Sequence, residues 1–190
     1  MTQFTPYWWQ NQPQYRNTEV PPTKADCVVV GAGFTGLSAA LTLAQAGRDV
    51  VVLDSQAIGF GASTRNGGML GSGHKVSVAD AKKHYGSDIA AQLHCEANDS
   101  LDFTKSLIID HKINCDLQAS GRLRTAWTPQ DYTAMAQANS SLQKIEPFAA
   151  RMIKPNAMTE HINTPLYFGG LLYEGHACVQ PRKLHYGLLQ

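Results

Sequence analysis

Two unbroken apolar runs, Cys27–Val30 and Val50–Leu53, flank a stretch in which Leu37, Ala40, Leu41 and Ala44 recur at i, i+3, i+4 and i+7. Short β-branched runs of this kind predict strands buried on both faces. The periodicity between them predicts a helix with one apolar stripe, ended at Gly47 by a residue at home in a left-handed C′ conformation. Strand, helix and strand in succession predict a βαβ unit with parallel strands and a right-handed crossover.

The rest of the chain is patterned less sharply. From Gly59 to Gly73 there are six glycines among Ser, Thr and Asn and no apolar period, which predicts a long loop whose backbone approaches something closely. Val78–His84 and Ser87–Lys112 read as helices, the second striped by Ile89, Leu93, Ala97, Leu101, Lys105 and Ile108. That stripe is read as core. Leu117-Gln118 and Leu123–Trp127 predict a hairpin turning near Ser120-Gly121. Thr128 and Pro129 are an N-cap and first-turn pair; Leu166–Tyr173 predicts a strand, and Pro181 opens a helix running into the last residue. Residues 1 to about 24 read as an extension, since Pro6, Pro13, Pro21 and Pro22 block regular helix. Its Tyr7, Trp8 and Trp9 are expected to dock on a surface of this chain or of a neighbour.

Composition narrows the function classes. The 190 residues are 43% hydrophobic, enough for one packed core and part of another. Sixteen basic against 15 acidic residues argue against nucleic acid or an anionic membrane as the main partner. No apolar stretch approaches the roughly 18–20 residues of a membrane span. The start of the chain has neither a basic end nor an apolar segment, so no secretory signal is expected. Cys27, Cys95, Cys115 and Cys178 are scattered and form no CxxC pair. Together these features predict a soluble cytoplasmic protein with reduced thiols and no metal site.

Gly31-Ala32-Gly33-Phe34-Thr35-Gly36 is a GxGxxG placed directly after a strand and opening a helix. Gly31 permits the tight turn, Gly33 lets backbone approach a pyrophosphate, and Gly36 lets helix and strand pack closely. The phosphates then face unpaired N–H groups at the positive end of the helix. Asp54 closes the second strand, at the offset where a ribose-binding carboxylate belongs. A loop leaving that strand emerges at the same crevice. There Ser63, Thr64 and Asn66 can donate to phosphate or ribitol oxygens, Arg65 can offset charge, and Gly67-Gly68 leave room for a flat ring.

The run from Asp26 through Gly73 resembles flavoproteins of the D-amino-acid oxidase type, most of all the γ-glutamylputrescine oxidase and glycine oxidase branches. Tyr7-Trp8-Trp9, His84-Tyr85-Gly86, Gly121-Arg122-Leu123 and Tyr173-Glu174-Gly175-His176 through Pro181 share the resemblance. It implies an α/β fold, with a Rossmann-like FAD-binding βαβ domain and the beginning of a mixed α+β substrate domain. The division implied is an extension at 1–24, the FAD-binding unit and flavin loop at 25–80, and a helical segment with the start of the substrate domain at 81–190. FAD is implied rather than NAD. The residues expected around it are Gly31, Ala32, Gly33, Phe34, Thr35, Gly36, Asp54, Ser55, Gly61, Ala62, Ser63, Thr64, Arg65, Asn66, Gly67, Gly68, Met69 and Leu70. Gly31, Gly33 and Gly36 would meet the pyrophosphate and Asp54 the adenosine ribose. Ala62 to Asn66 would hold pyrophosphate and ribitol, with Gly68-Met69-Leu70 beside the isoalloxazine. Asp54 stands where glutamate is commoner, and Thr64 where glycine is common.

The implied activity is oxidation of an amine or amino acid at its C–N bond to an imine, with oxygen or another acceptor reoxidising the flavin. Members of the family are about twice this length, so the chain is expected to be an N-terminal part whose remainder follows or is carried separately. The alternatives are a non-catalytic flavin- or nucleotide-binding remnant, one chain of a two-component flavoprotein, or an NAD-dependent dehydrogenase. The last does not account for the 59–73 loop. No catalytic residue is assigned. His74 is a candidate for a place near a substrate, Ser72 has no evident base, and the seven histidines read as surface or helix-face residues.

Overall fold

The computed structural model describes residues 4–10 and 20–190; the remainder of the expected N-terminal extension, with Pro13, lies outside the described residues. In chain order come a 3₁₀ turn at Tyr7–Trp9, β1 (Cys27–Val30), α1 (Phe34–Gln45), β2 (Val50–Leu53), a 3₁₀ turn at Ala62–Thr64, β3 (Met69–Leu70), α2 (Val78–Tyr85) and α3 (Ser87–Asp110). Then follow β4 (Arg122–Thr125), α4 (Pro129–Ile145), β5 (Ala150–Ile153), a 3₁₀ segment at Pro155–Glu160, β6 (Gly170–Tyr173), β7 (Ala177–Cys178) and α5 (Pro181–Gly187). The fold is α/β, and the chain forms two units. One comprises Met1–Gly68, Ile108–Leu117 and Val179–Gln190, the other Met69–Leu107 and Gln118–Cys178.

In the first unit β1 and β2 run parallel, with Cys27 opposite Val50 and Val30 opposite Leu53. α1 packs on this pair through the buried Leu37 and Ala40. Ala44, expected in the same stripe, is exposed. A Cβ built on Gly36 would stand 1.9 Å from the Gly31 carbonyl oxygen, so only glycine lets helix and strand approach this closely. Gly47 ends the helix at φ +77° as expected. The strands differ from expectation in burial: Val28 is 57% and Val30 85% exposed. α1 makes the main contacts with this two-stranded pair, and Val28 and Val30 of β1 stay bare. α5 packs into the same unit with Pro181, Arg182, Leu184, His185 and Tyr186 buried. The Gln180 side chain caps it, accepting from the Arg182 and Lys183 N–H groups at 2.7 and 2.9 Å. α5 stops at Gly187 rather than continuing to the last residue.

In the second unit β4, β6 and β5 form an antiparallel sheet in that order, with α4 against β6. The hairpin expected over 117–127 does not form. Gln118 instead bridges Cys178, and β4 takes β6 as its partner, with Arg122 opposite Tyr173. The 59–73 stretch is likewise more ordered than its composition suggests, because Ala62–Thr64 coils into a 3₁₀ turn and β3 pairs antiparallel with β7. On α3 the buried positions are Ala90, His94, Ala97, Leu101 and Ile108, the last three as expected, while Ile89 is 48% exposed. The inward face is therefore rotated by one residue from the expected stripe at this end, and it takes in a histidine. α4 starts with Thr128 as its N-cap, as expected, accepting from the Asp131 N–H at 3.1 Å; Asp131 accepts in return from the Thr128 N–H at 3.0 Å, which completes a capping box.

Candidate cofactor site

β1 leads into Gly31, whose φ of +101° only glycine adopts without strain. The turn is then held from three sides. Asp54, at the end of β2, accepts the Ala32 N–H on Oδ2 at 2.8 Å and the Gln56 N–H on Oδ1 at 2.9 Å. Ser63, in the 3₁₀ turn, accepts the Phe34 N–H at 3.0 Å. From the other side His185 of α5 donates Nε2–H to the Ala32 carbonyl at 2.5 Å. The Gln56 and Ala32 N–H groups keep the Asp54 carboxyl below the ordinary carboxylate range. His185 is fully buried, and that burial lowers its pKa although the Ala32 carbonyl and Asp54 act in the opposite sense. With Nε2 holding the proton, Nδ1 of the neutral ring is a buried acceptor without a partner.

The 59–68 loop is stapled internally. Asn66 accepts the Gly68 N–H at 2.8 Å and donates to the Ser63 and Ala62 carbonyls at 2.9 and 3.3 Å. Thr64 is fully buried and its hydroxyl donates to the Gly59 carbonyl at 2.5 Å. Arg65 donates Nε–H to the Phe60 carbonyl at 2.7 Å, and its guanidinium lies 4.4 and 4.6 Å from the Trp9 and Phe60 ring centres. Gly68, at φ +69°, leaves no room for a side chain, since its Cβ would lie 2.2 Å from the Val179 carbonyl oxygen.

The donor set suits a dinucleotide. α1 starts after its N-cap Gly33 with no acidic residue in its first turn, and Ser63 takes the Phe34 N–H alone, so its positive end favours an anion. A Cβ on Gly33 would lie 3.2 Å from Ser63 Oγ, so the bare backbone keeps that approach clear. Beside the turn, Ala32, Leu53, Asp54, Ser55, Gln56 and Ile58 help line a crevice of about 730 Å³. Of the residues expected around a cofactor, the first unit thus brings together Gly31–Gly36, Asp54, Ser55 and Gly61–Gly68. Met69 and Leu70 belong to the second unit, in β3.

Among the described residues no group of three or more His, Cys, Asp or Glu side chains could hold a metal ion, and no helix is long and apolar enough to cross a membrane. The histidines depart from expectation: His94, His176 and His185 are buried. Ser72 does have a histidine partner, because His176 Nε2 accepts its N–H at 3.2 Å and lies 3.3 Å from its Oγ. Burial, with Arg122 and Lys105 nearby, pushes the His176 pKa down to about 4. Its Nδ1 has no partner, so the ring is a weak base without an orienting group. His74 is engaged through Nε2 with the Leu93 carbonyl at 2.8 Å. Sequence reasoning missed His185, for which a histidine inside the apolar Leu184–Tyr186 run was the only signal.

The family model described as FAD dependent oxidoreductase matches residues 26–190. The chain belongs to this DAO family of FAD-dependent oxidoreductases. Within the family it is 33% identical over 162 residues to the gamma-glutamylputrescine oxidoreductase of Escherichia coli (strain K12), covering 85% of this chain and 38% of that protein. The chain thus spans well under half the length of the curated relatives it matches. Its fold is similar to that of part of glycine oxidase from Geobacillus kaustophilus (TM-score 0.66, 19% identity, 86% of this chain and 43% of that one). L-amino acid deaminase from Proteus myxofaciens shares it too (TM-score 0.71, 17% identity, 94% and 38%). FAD is the cofactor of this DAO family.

Proposed function

We propose that these residues form the FAD-binding part of an oxidoreductase that converts the C–N bond of an amine or amino acid to an imine, with a γ-glutamylputrescine-like amine as substrate. The observation that carries the site assignment is the Asp54–Ala32 hydrogen bond. It ties the strand-end carboxylate to the pyrophosphate turn, so that one rigid corner presents an acceptor for ribose hydroxyls beside N–H donors for phosphate. The N-terminus of α1 binds the diphosphate, and Asp54 and Ser55 face the adenosine side. Gly61–Gly68 form the wall along pyrophosphate and ribitol, and Met69 and Leu70 are assigned to the flavin ring. Bound FAD supplies the two-electron acceptor: the amine is oxidised to the imine, which water hydrolyses, and oxygen or another acceptor takes the electrons from the flavin. The 33% identity to gamma-glutamylputrescine oxidoreductase supports the substrate choice.

The 25–80 and 81–190 division into a cofactor unit and the start of a substrate domain is part of the same proposal. The bare Val28–Val30 face supports the view that further polypeptide, in this chain or a second one, covers β1 in the working enzyme. The test is spectroscopic and kinetic. The protein carrying this chain is purified, its visible spectrum and flavin stoichiometry are measured, and amines and amino acids are compared by the rate of anaerobic bleaching. One flavin per chain, bleached fastest by γ-glutamylputrescine, is the expected result. A folded protein that retains no flavin from excess FAD overturns the cofactor assignment, and bleaching by a non-amine alone overturns the substrate class.

A further inference from the structure

We propose that Trp8 and Trp9 are positioning residues for the cofactor, their indole N–H groups fixing the shape of the loop that receives FAD; the inference rests on the functional reading above. Trp9 donates Nε1–H to Thr64 Oγ1 at 2.8 Å, and the Thr64 hydroxyl donates onward to the Gly59 carbonyl. A continuous relay thus ties the N-terminal turn to both ends of the 59–64 segment. Trp8 donates Nε1–H to the Asn66 carbonyl at 2.7 Å. The strap is anchored in turn by Gln180, which donates Nε2–H to the Trp8 carbonyl at 3.0 Å while its Oε1 caps α5. The Trp9 ring lies 4.4 Å from the Arg65 guanidinium and 4.9 Å from that of Arg182, so it also holds the loop's one cation in place.

These contacts exceed what covering apolar surface requires. Two indoles, more than 50 residues from the loop in sequence, each place their single donor on a loop acceptor. One of those acceptors, Thr64, is fully buried, where losing a partner leaves an acceptor poorly satisfied. The next residue back, Ser63, caps the Phe34 N–H at the pyrophosphate turn, so loosening Thr64 loosens the cofactor site. A loop ordered before the ligand arrives binds it more tightly than one ordered by it.

The experiment compares wild type, Trp9→Phe and Trp8→Phe in the protein carrying this chain. FAD affinity is measured by flavin fluorescence, and hydrogen exchange is measured on the apoprotein. Trp9→Phe keeps the ring over Arg65 and removes only the donor. It is expected to weaken FAD about tenfold and to speed exchange across residues 59–68, with β1 and α1 unchanged; Trp8→Phe is expected to do the same about threefold. Unaltered affinity and loop exchange in both variants overturn the proposal, as does faster exchange spread over the whole unit, which marks a merely structural role. If Trp9→Phe does not fold, Trp8→Phe decides on the same two readouts. A folded wild type that binds no FAD overturns the functional reading, and the positioning role with it, whatever the exchange shows.

Discussion

His185 donates a hydrogen bond from Nε2 to the carbonyl of Ala32, so a side chain of α5 holds the second residue of the glycine turn from 153 positions away. Ala32 is also gripped through its N–H by Asp54. Both backbone polar groups of Ala32 are thereby committed, and the neighbouring N–H groups are presented in a fixed direction.

Replacing His185 by Leu is expected to leave the buried Ala32 carbonyl without its donor. The cost is about 1–3 kcal/mol of stability, and FAD binding should weaken with it. His185→Gln, which keeps an N–H donor, should recover part of both. Denaturant unfolding and flavin titration of the two variants check this.

Asp54→Ala is expected to strip the acceptor from the Ala32 and Gln56 N–H groups and to remove the ribose carboxylate. With charged hydrogen bonds worth about 1.5–3 kcal/mol each, FAD affinity should fall at least tenfold, and Asp54→Glu should retain most of it. Equilibrium dialysis against FAD measures the difference.

Gly36→Ala and Gly47→Ala separate packing from backbone conformation. A Cβ at Gly36 would stand 1.9 Å from the Gly31 oxygen, whereas at Gly47 nothing lies within 4 Å. Gly47→Ala should therefore cost about 1 kcal/mol for its positive φ alone. Gly36→Ala should push α1 off β1, cost several times more and abolish retained flavin. Thermal melts with a flavin assay decide it.

Acidification is expected to destabilise the protein. The folded-state pKa of His176 is about 4 against an ordinary 6.5, so below pH 6.5 the unfolded chain binds a proton that the native chain does not. Stability then falls as pH drops from about 6.5 towards 4, by up to about 3 kcal/mol at roughly 1.4 kcal/mol per unit. His185 and His94, also lowered, act in the same direction. So does Asp54, whose contribution is lost as pH falls through its depressed native value. Unfolding midpoints measured between pH 7.5 and 5 should decline, and His176→Gln should flatten part of the slope.

The parts of the fold that were legible in advance are those whose partners lie close in sequence. The parallel pair of β1 and β2, the helix between them, its stop at Gly47 and the N-cap at Thr128 all follow from spacing within a few turns of chain. The β4 pairing was misread because Ser120-Gly121 looks like a local turn, whereas Arg122–Thr125 finds its partner at Gly170–Tyr173. β5 was missed, since Ala-Arg-Met-Ile carries little strand pattern without the neighbour that completes it.

The same division runs through the site. Amino-acid order alone determined that a glycine turn follows a strand, opens a helix and is answered by Asp54, because each of those needs is a property of backbone shape over a short span. Tertiary structure decided that His185 holds the turn, that two N-terminal indoles brace the loop, and that Thr64 points inward. Hydrogen bonds between distant residues depend on where packing brings their donors and acceptors, and no local periodicity encodes that.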